Sequence, residues 1–520
     1  MYKRQVLIII AAAAFMMRGG EEQAPATGEN VTGQGQQEET PATGTGTGQG
    51  GQQEEQQATG GQQGGQAGTA TGGEAQAPAG TEAGEEGIVL RVLTRHPGDI
   101  QLVTKELFLN SDVAKQYNIV DIHFISQDPA AWVPTIKNRN DIDVAWGGGP
   151  TLFDELYLQG LLAPLEGEGL EDAVSQVPNV YAGSPLKRIG DDGKVYWVAA
   201  SIASFGFTVN HDMLQLYGLP VPKSWRDLGS PEFGTPLITV GQPAVGIANP
   251  VASTSNTRMY EIILQRYGWD EGWIILTSMA ANSRIYPGSG DVRDAVIRGD
   301  IAVGITIDFY GYTAQMQNPA CEYILPEGES IVNGDPIALL VTSKNVEAAK
   351  AFIRWVLTEG QAVWLDPEIN RIPSNPAIFQ TPEGQERQDL KQVYEKLAQV
   401  TVIQFNDTLA LMYEDAMRFY FDAVLVKNHD LLQRAWTLLL QKYYNGEIND
   451  IMLQYYIREL GKPLTYTDPV TGDTVTFTLD DAMRVNSILR DDRTLISSYQ
   501  TAWSQAASER FQSIIQELGG

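Results

Sequence analysis

The stretch from 142 to 165, IDVAWGGGPTLFDELYLQGLLAPL, decides the fold class. A short buried-strand pattern ends at Trp146, three glycines occupy 147–149, and Pro150 begins a segment with helical apolar spacing. Glycines let a ligand approach the backbone, and the first N–H groups of a helix lack intrahelical partners. The pattern therefore indicates an anion-binding or polar-ligand loop, although a tight strand-to-helix turn without a ligand has the same sequence.

The segments before this stretch alternate between strand and helix patterns. Strand patterns cover 87–93 and 120–126, and helix patterns cover 100–116 and 130–138. This order predicts an α/β fold with a mostly parallel sheet between layers of helices. Ligands bind beyond the carboxyl ends of strands in such sheets, so His96 and the glycine loop should face one crevice. A solvated loop histidine remains an equal alternative for His96.

Polar residues also precede helices later in the chain. A long β-rich run at 195–210 contains small residues, as expected where a strand passes between two domains. The hydroxyl cup, residues 253–257 (STSNT), has more hydrogen-bonding side chains than one helix cap requires. A plain capping loop is the alternative. A second Gly/Ser helix entrance lies at 287–291, and the strand at 301–309 precedes Tyr310.

Composition excludes several classes of function. The net charge is −28, which disfavours binding to nucleic acid or to an anionic membrane surface. The chain has one cysteine and four scattered histidines, without zinc-type spacing. It contains no GxSxG, HExxH or Walker motif. We therefore expect a binding protein rather than an enzyme, without a cofactor or resident metal.

The N-terminus has the pattern of an exported protein. Residues 1–18 combine a basic start with a short apolar run, which predicts a signal peptide or a short uncleaved anchor. Residues 19–87 are rich in Gly, Gln, Thr, Ala and Glu, and eleven glutamates are their only charged residues. Such a segment is too polar to form a core, which predicts a disordered tether. The protein should be extracellular, secreted or tethered to the cell surface, with only the N-terminal segment at the membrane.

Four segments carry a resemblance to a known family: DVAWGGGPTLFDELYLQGLLAPL, KVYWVAASIASFGFTVN, SGDVRDAVIRGDIAVGITIDFY and AKAFIRWVLTEGQAVWL. Together with FDAVLVKNHDLLQRAWTLL, they resemble extracellular solute-binding proteins of ABC importers. The similar branch includes binders of ferric iron, phosphonates, hexose phosphates and thiamine. The resemblance covers about 88–440, and the signal-plus-tether layout resembles archaeal surface-anchored members.

The resemblance implies a type 2 periplasmic-binding-protein-like fold, in which two α/β lobes joined by hinge strands close on a ligand. Lobe one would then comprise 88–200 and 328–445, and lobe two 201–327. Residues 446–520 would form a helical C-terminal extension of unknown role. The implied partners are a small solute and an ABC transporter permease, and we expect a monomer.

The resemblance also bears on the ligand. Ferric binders of this branch often use a histidine, a glutamate and adjacent tyrosines. Here His96 and Tyr310 match, the glutamate position falls near Gly148, and Phe309 replaces one tyrosine. These are too few anionic oxygens for a trivalent cation. Neutral donors at helix N-termini instead suit phosphate or phosphonate oxygens. The predicted ligand-binding residues are His96, Trp146, Gly147, Gly148, Gly149, Ser204, Ser253, Thr254, Ser255, Asn256, Ser289, Asp308 and Tyr310.

Three functions stay open on the sequence. The first is a solute receptor for an anionic organic phosphate or phosphonate, with ferric iron held by His96 and Tyr310 as the alternative ligand. The second is an enzyme on the same scaffold, and the third is an adhesion or structural protein. The exact ligand and the cleavage of the N-terminal segment are not determined by the sequence.

Overall fold

The structure is a computed structural model that describes residues 87–520. The signal segment 1–18 and all but the last residue of the tether 19–87 lie outside the described residues. Within 87–520, no helix combines the length and the apolar character needed to cross a membrane.

Strands and helices alternate through the first three quarters of the described chain, and helices dominate the last quarter. The strands are β1 (Ile88–Thr94), β2 (Ile119–Ser126), β3 (Val144–Trp146), β4 (Leu162–Ala163), β5 (Val180–Tyr181), β6 (Ser184–Pro185), β7 (Lys187–Ile189), β8 (Val195–Asn210), β9 (Val245–Ala248), β10 (Ser283–Tyr286), β11 (Val303–Ile307), β12 (Cys321–Ile324), β13 (Val332–Leu340), β14 (Ile372–Pro373), β15 (Thr465–Thr467) and β16 (Thr474–Thr476). The α-helices are α1 (Gly98–Asn110), α2 (Asp112–Gln116), α3 (Trp132–Arg139), α4 (Pro150–Leu158), α5 (Leu170–Gln176), α6 (His211–Tyr217), α7 (Trp225–Leu228), α8 (Thr235–Thr239), α9 (Thr254–Tyr267), α10 (Trp269–Ala281), α11 (Ser289–Arg298), α12 (Asp308–Gln317), α13 (Val346–Leu357), α14 (Pro382–Glu386), α15 (Gln388–Leu397), α16 (Asp407–Phe421), α17 (His429–Tyr444), α18 (Asp450–Gly461), α19 (Leu479–Asp491) and α20 (Ile496–Glu517).

One continuous sheet runs through the molecule in the order β10-β9-β11-β8-β13-β3-β1-β2. Strands β2, β1 and β3 are parallel to one another, as the alternating strand and helix patterns predict. Strands β9, β10 and β11 form a second parallel group. Strand β8 lies between the two groups and is antiparallel to both β13 and β11.

Strand β8 changes partners in its middle. Ser204 is in register with Val332 of β13, and the next residue, Phe205, is in register with Ile307 of β11. The same strand therefore belongs to both halves of the sheet. The small residues of this run allow close packing at the crossing, where Ala199, Ser201 and Ser204 are fully buried.

Each half of the sheet has its own hydrophobic core. The first contains Val92, Trp146 and Phe352, and a smaller cluster covers the other face of the same strands. The second contains Phe207 and Met259. The architecture is therefore α/β with two lobes joined by shared strands, which confirms the predicted fold class.

The C-terminal helices belong to the second core. Tyr413, Phe421, Trp436 and Trp503, from α16, α17 and α20, pack in the same cluster as lobe-two residues. The Phe421 ring stacks on that of Tyr260 in α9, with centroids 4.4 Å apart. The expectation that the helices before 445 return to lobe one is therefore wrong for α16 and α17. Their inward faces carry aromatic residues that complete the lobe-two core.

Local predictions also differ from the structure in places. Helix α8 has Pro236 in its first turn. The helix expected at 100–116 is divided at Ser111, whose side chain caps α2 by accepting from Ala114 N. Strands β15 and β16 pair antiparallel to each other.

Candidate functional site

A cavity of about 230 Å³ lies where the two lobes meet. The loop after β1, the glycine loop before α4 and the hinge strand β13 contribute lobe-one residues to its wall. The N-termini of α9, α11 and α12 contribute lobe-two residues. Ligand pockets for drug-sized molecules measure about 300–1,000 Å³, so this cavity suits a smaller metabolite.

Eight of the thirteen residues predicted from the sequence line this cavity. They come from five separate segments, which the fold brings together as the crossing of strand ends predicts. The eight are His96, Gly148, Gly149, Ser253, Thr254, Ser255, Ser289 and Tyr310.

The other five predicted residues lie behind the wall. Trp146 is buried, with its ring centroid 4.3 Å from that of His96. Asn256 accepts from Ala248 N at 2.9 Å, which ties α9 to β9. Ser204 and Asp308 bond to each other across the hinge, since Asp308 Oδ2 accepts from Ser204 N at 2.7 Å. None of these four lines the cavity, and the carboxylate of Asp308, the amide oxygen of Asn256 and the backbone N–H of Ser204 form bonds inside the protein.

Gly147, the fifth, has a steric role. Its φ is +78°, and a Cβ placed there would lie 2.7 Å from His96 Nε2. The backbone N–H of Gly147 donates to Pro336 O, and that of Gly148 donates to Asp335 Oδ1. The glycine loop therefore uses two of its three N–H groups to join β13, and a glycine is required at 147 for close packing against His96.

Three arginines that the sequence did not single out line the cavity: Arg95, Arg258 and Arg371. Asp335 is the one lining residue of the described chain with a carboxylate. The wall therefore carries more positive than negative charge in a protein whose net charge is −28. Arg95 adjoins His96, and Arg258 lies one turn after Thr254 on α9. Both could have been found by adjacency, whereas Arg371 lies in a loop without a motif.

Arg371 organises the hinge side of the cavity. Its Nη1 lies 2.7 Å from Asp335 Oδ2, and its guanidinium carbon lies 4.9 Å from the centroid of the Phe309 ring. Burial raises the pKa of Asp335, but the attraction of Arg371, a smaller contribution from His96 and the hydrogen bonds from Arg371 and Gly148 N together leave the pKa below its ordinary value. Asp335 is therefore ionised and neutralises part of the arginine charge.

His96 is held as a neutral imidazole. Burial lowers the pKa of His96 to about 3, and the nearby Asp335 only partly opposes this. Arg371 Nη1 lies 3.2 Å from His96 Nδ1. Because a guanidinium can only donate, Nδ1 must accept and the proton must sit on Nε2. Nε2 is then not available as a metal ligand.

Two of the three arginines and His96 each retain a buried nitrogen without a hydrogen-bond partner among residues 87–520, namely Arg95 Nε, Arg371 Nε and His96 Nε2. Arg258 Nη1 also lacks a hydrogen bond there, but it lies 3.3 Å from Glu261 Oε2 in an ion pair. Buried donors without partners are costly, so such atoms gather where a ligand completes the bonding. Their presence in the walls of one cavity indicates an acceptor-rich ligand.

The hydroxyl cup is divided between capping and the cavity. Ser253 is the N-cap of α9, and its Oγ accepts from Asn256 N at 3.2 Å. Ser255 Oγ lies 3.3 Å from Ser253 Oγ and also lines the cavity. Thr257 donates back to Pro250 O and has a structural role. The cup therefore presents Ser253, Thr254 and Ser255 beside the positive end of the helix dipole.

The residues that could hold ferric iron do not form a suitable set. The Nε2 atom of His96 carries the proton and is not available as a ligand. Burial raises the pKa of Tyr310, which disfavours a phenolate. Phe309 occupies the position of a second tyrosine. No group of three or more His, Cys, Asp or Glu residues with metal-binding geometry exists among residues 87–520. The donor set therefore suits an anion better than a hard cation.

Comparison with known families agrees with this two-lobe arrangement. Residues 101–363, just over half of the chain, match the model of the bacterial extracellular solute-binding protein family. The chain belongs to this family. Solute-binding proteins of this family are extracellular or periplasmic, and they deliver small solutes to the permeases of ABC transporters. The family and the fold are those of binding proteins rather than enzymes.

This solute-binding protein is similar to a curated relative, the phosphoglycerate transport regulatory protein PgtC of Salmonella typhimurium (strain LT2). The two are 28% identical over 245 residues, which cover 46% of this chain and 57% of PgtC. The chain thus spans little more than half the length of this relative.

Solved structures of periplasmic binding proteins are also similar. The periplasmic binding protein P5PA has a TM-score of 0.47 and 18% identity, over 62% of this chain and 94% of P5PA. AfuA from Actinobacillus pleuropneumoniae, with exogenous fructose-6-phosphate bound, has a TM-score of 0.47 and 18% identity, over 59% of this chain and 98% of AfuA.

Proposed function

We propose that the protein captures a small anionic organic phosphate or phosphonate between its lobes and delivers it to an ABC importer. The observation that carries this proposal is the convergence of Arg95, Arg258 and Arg371 on one small cavity. Phosphate oxygens are strong acceptors that match guanidinium donors. The partial likeness to PgtC, whose name refers to phosphoglycerate transport, supports the same ligand class.

The two sides of the cavity supply different kinds of hydrogen-bond donor. The α9 N-terminus and its hydroxyls supply lobe-two donors, and Arg95 and Arg371 supply lobe-one charge. A ligand that bonds to both sides favours the closed arrangement, because its contacts are complete only there. An extracellular location is supported by the family, and tethering through the N-terminal segment in the archaeal-like layout is supported by the sequence of 1–87 alone.

Isothermal titration calorimetry with the full chain tests this function. The probes are 3-phosphoglycerate, phosphonoacetate, fructose 6-phosphate, glycerate and ferric nitrilotriacetate. We expect binding of at least one phosphorus-containing probe, with glycerate much weaker. Replacing Arg371 with Gln should weaken that binding about 10- to 100-fold, since hydrogen bonds to charged groups contribute about 1.5–3 kcal/mol.

The control is Arg298→Gln, which removes an exposed arginine that pairs with Asp300 at the end of α11. It changes the net charge equally and should leave affinity unchanged. Binding of ferric nitrilotriacetate alone would overturn the proposal in favour of an iron site at His96 and Tyr310. Conversion of a bound probe, detected by phosphorus NMR, would show an enzyme instead.

A further inference from the structure

The helices after residue 406 belong to the core of lobe two, but they also reach lobe one. Asp407, the first residue of α16, accepts through Oδ1 from Thr151 Oγ1 at 2.7 Å. Thr151 lies in the first turn of α4 in lobe one. The same Asp407 oxygen accepts from Arg258 Nη2 of α9 at 3.0 Å.

Arg258 closes this triangle. Its Nη2 lies 2.6 Å from Thr151 Oγ1, so one guanidinium nitrogen contacts both the lobe-one hydroxyl and the C-terminal carboxylate. Arg258 is 7% exposed and Thr151 is 4% exposed, whereas the Asp407 side chain is 25% exposed, so the contacts are only partly shielded from water. Arg258 also lines the cavity. The orientation of a cavity arginine is thus fixed by residues from two other parts of the chain.

Two further contacts join the C-terminal helices to lobe one. Arg490 Nη1 of α19 lies 3.6 Å from Glu155 Oε1, one turn beyond Thr151 on the same face of α4. Arg418 Nη2 of α16 lies 3.4 Å from Asp128 Oδ2, after β2. Arg418 also donates to Pro250 O and Val251 O, in the loop before the hydroxyl cup.

These contacts depend on the positions of the two lobes. Thr151, Glu155 and Asp128 belong to lobe one, whereas Asp407, Arg490 and Arg418 are carried by helices that pack in lobe two. A hinge rotation at β8 that opened the cleft would separate the two sets, because every bond among them crosses from one lobe to the other. Opening of the cleft would therefore break these contacts.

We propose that the C-terminal helices are a latch that holds the cleft closed and that Asp407 is a positioning residue, which orients Arg258 toward the ligand through Thr151. The bonds of Asp407 and Thr151 are short and charge-assisted, and such bonds in partly buried sites outweigh surface ion pairs. The affinity part of this proposal rests on the proposed function, whereas the closure part does not.

A distance measurement tests closure without any ligand. Spin labels are placed on Glu106→Cys in lobe one and Gln215→Cys in lobe two, both at exposed positions. The native Cys321 is buried and should remain unlabelled. Double electron–electron resonance then reports the inter-lobe distance in the otherwise native full chain and in the variants Thr151→Val, Thr151→Ser and Asp407→Asn.

Thr151→Val removes the hydroxyl with little change of shape and should shift the population toward longer distances. Thr151→Ser retains the hydroxyl and should resemble the native distribution. Thr151→Val combined with Asp407→Asn should open the cleft no more than the stronger single change, because both remove the same contact. Unchanged distances in Thr151→Val, or equal opening in Thr151→Ser, would overturn the latch.

The effect on ligand affinity is measured as the rate at which 3-phosphoglycerate, or another calorimetric probe that the native chain binds, is released. Thr151→Val should release that probe about tenfold faster, and Thr151→Ser at nearly the native rate. Faster release without opening would show a direct effect on the cavity and contradict the latch. Opening in a protein that binds no phosphorus-containing probe would support the latch and reject the proposed function.

Discussion

Arg371 and Asp335 form a buried ion pair, with Nη1 and Oδ2 2.7 Å apart, on the strand and loop that form the hinge side of the cavity. Asp335 also accepts from Gly148 N at 2.9 Å, so the same carboxylate joins the hinge strand to the glycine loop. The pair holds one of the cavity arginines while leaving its Nε without a hydrogen-bond partner among the described residues. Removal of the Asp335 carboxylate should therefore lower the stability of the protein but increase the stabilisation that a bound ligand provides.

Asp335→Asn should lower the free energy of unfolding by about 3 kcal/mol, since loss of one partner leaves a buried guanidinium uncompensated. A phosphorus-containing probe that the native chain binds should then produce a larger thermal shift than in the native protein, because it neutralises Arg371. Thermal denaturation with and without the ligand measures both effects. Asp112→Asn, at an exposed residue, is the control. A smaller ligand-induced shift would contradict the role assigned to Asp335.

Gly147→Ala should destabilise the fold through two separable causes. The φ of +78° costs an alanine about 1–2 kcal/mol, and the new Cβ would meet His96 at 2.7 Å. Gly160→Ala is the matched control, because its φ is +66° and nothing lies within 4 Å. Chemical denaturation should show that Gly147→Ala lowers the free energy of unfolding more than Gly160→Ala does. Adding His96→Ala to Gly147→Ala should recover only this excess loss. Equal losses would mean that the contact with His96 is not limiting.

Two substitutions in the hydroxyl cup should distinguish its role in capping α9 from its role in ligand binding. Ser253→Ala removes the α9 cap and should cost about 1 kcal/mol of stability as well as affinity. Ser255→Ala should weaken ligand binding while leaving the free energy of unfolding within about 0.5 kcal/mol of native. Calorimetry and denaturation of both variants measure the two quantities. Native affinity in Ser255→Ala would remove this hydroxyl from the site.

Asp308 should make stability depend on pH. Burial raises the pKa of Asp308 to about 7, even though Ser204 N, Ser204 Oγ and Phe309 N donate to it. The folded protein therefore retains a proton that the unfolded chain releases above its ordinary pKa near 4. This contribution to stability is complete below about pH 4 and is lost as pH rises through about 7.

The test compares the native protein with Asp308→Asn by urea denaturation at pH 5 and pH 8. The free energy of unfolding of the native protein, relative to Asp308→Asn, should fall by about 2–3 kcal/mol between these values. Differences between the two proteins cancel the titration of other groups. Parallel curves would show that Asp308 is ionised in the folded state throughout this range.

The sequence by itself determined the alternation of strands and helices, and hence the α/β class with strand ends at a common crevice. Periodicity records which side of each segment is buried, so it predicted β1, β2, β3 and the long strand β8. It also located the loop of His96 and the hydroxyl cup, because capping and glycine preferences are local. The cavity positions of eight predicted residues follow from these local features.

Only the tertiary structure decided the electrostatics of the site. Arg371 is separated from Asp335 by 36 positions and from His96 by 275, and no local pattern records such a contact. The association of α16 with lobe two was likewise decided by which apolar surface its aromatic residues could cover. Burial and long-range pairing also lower the pKa of His96 and raise the pKa of Asp308. These properties depend on all the groups that surround each side chain, and those groups come together only in the folded protein.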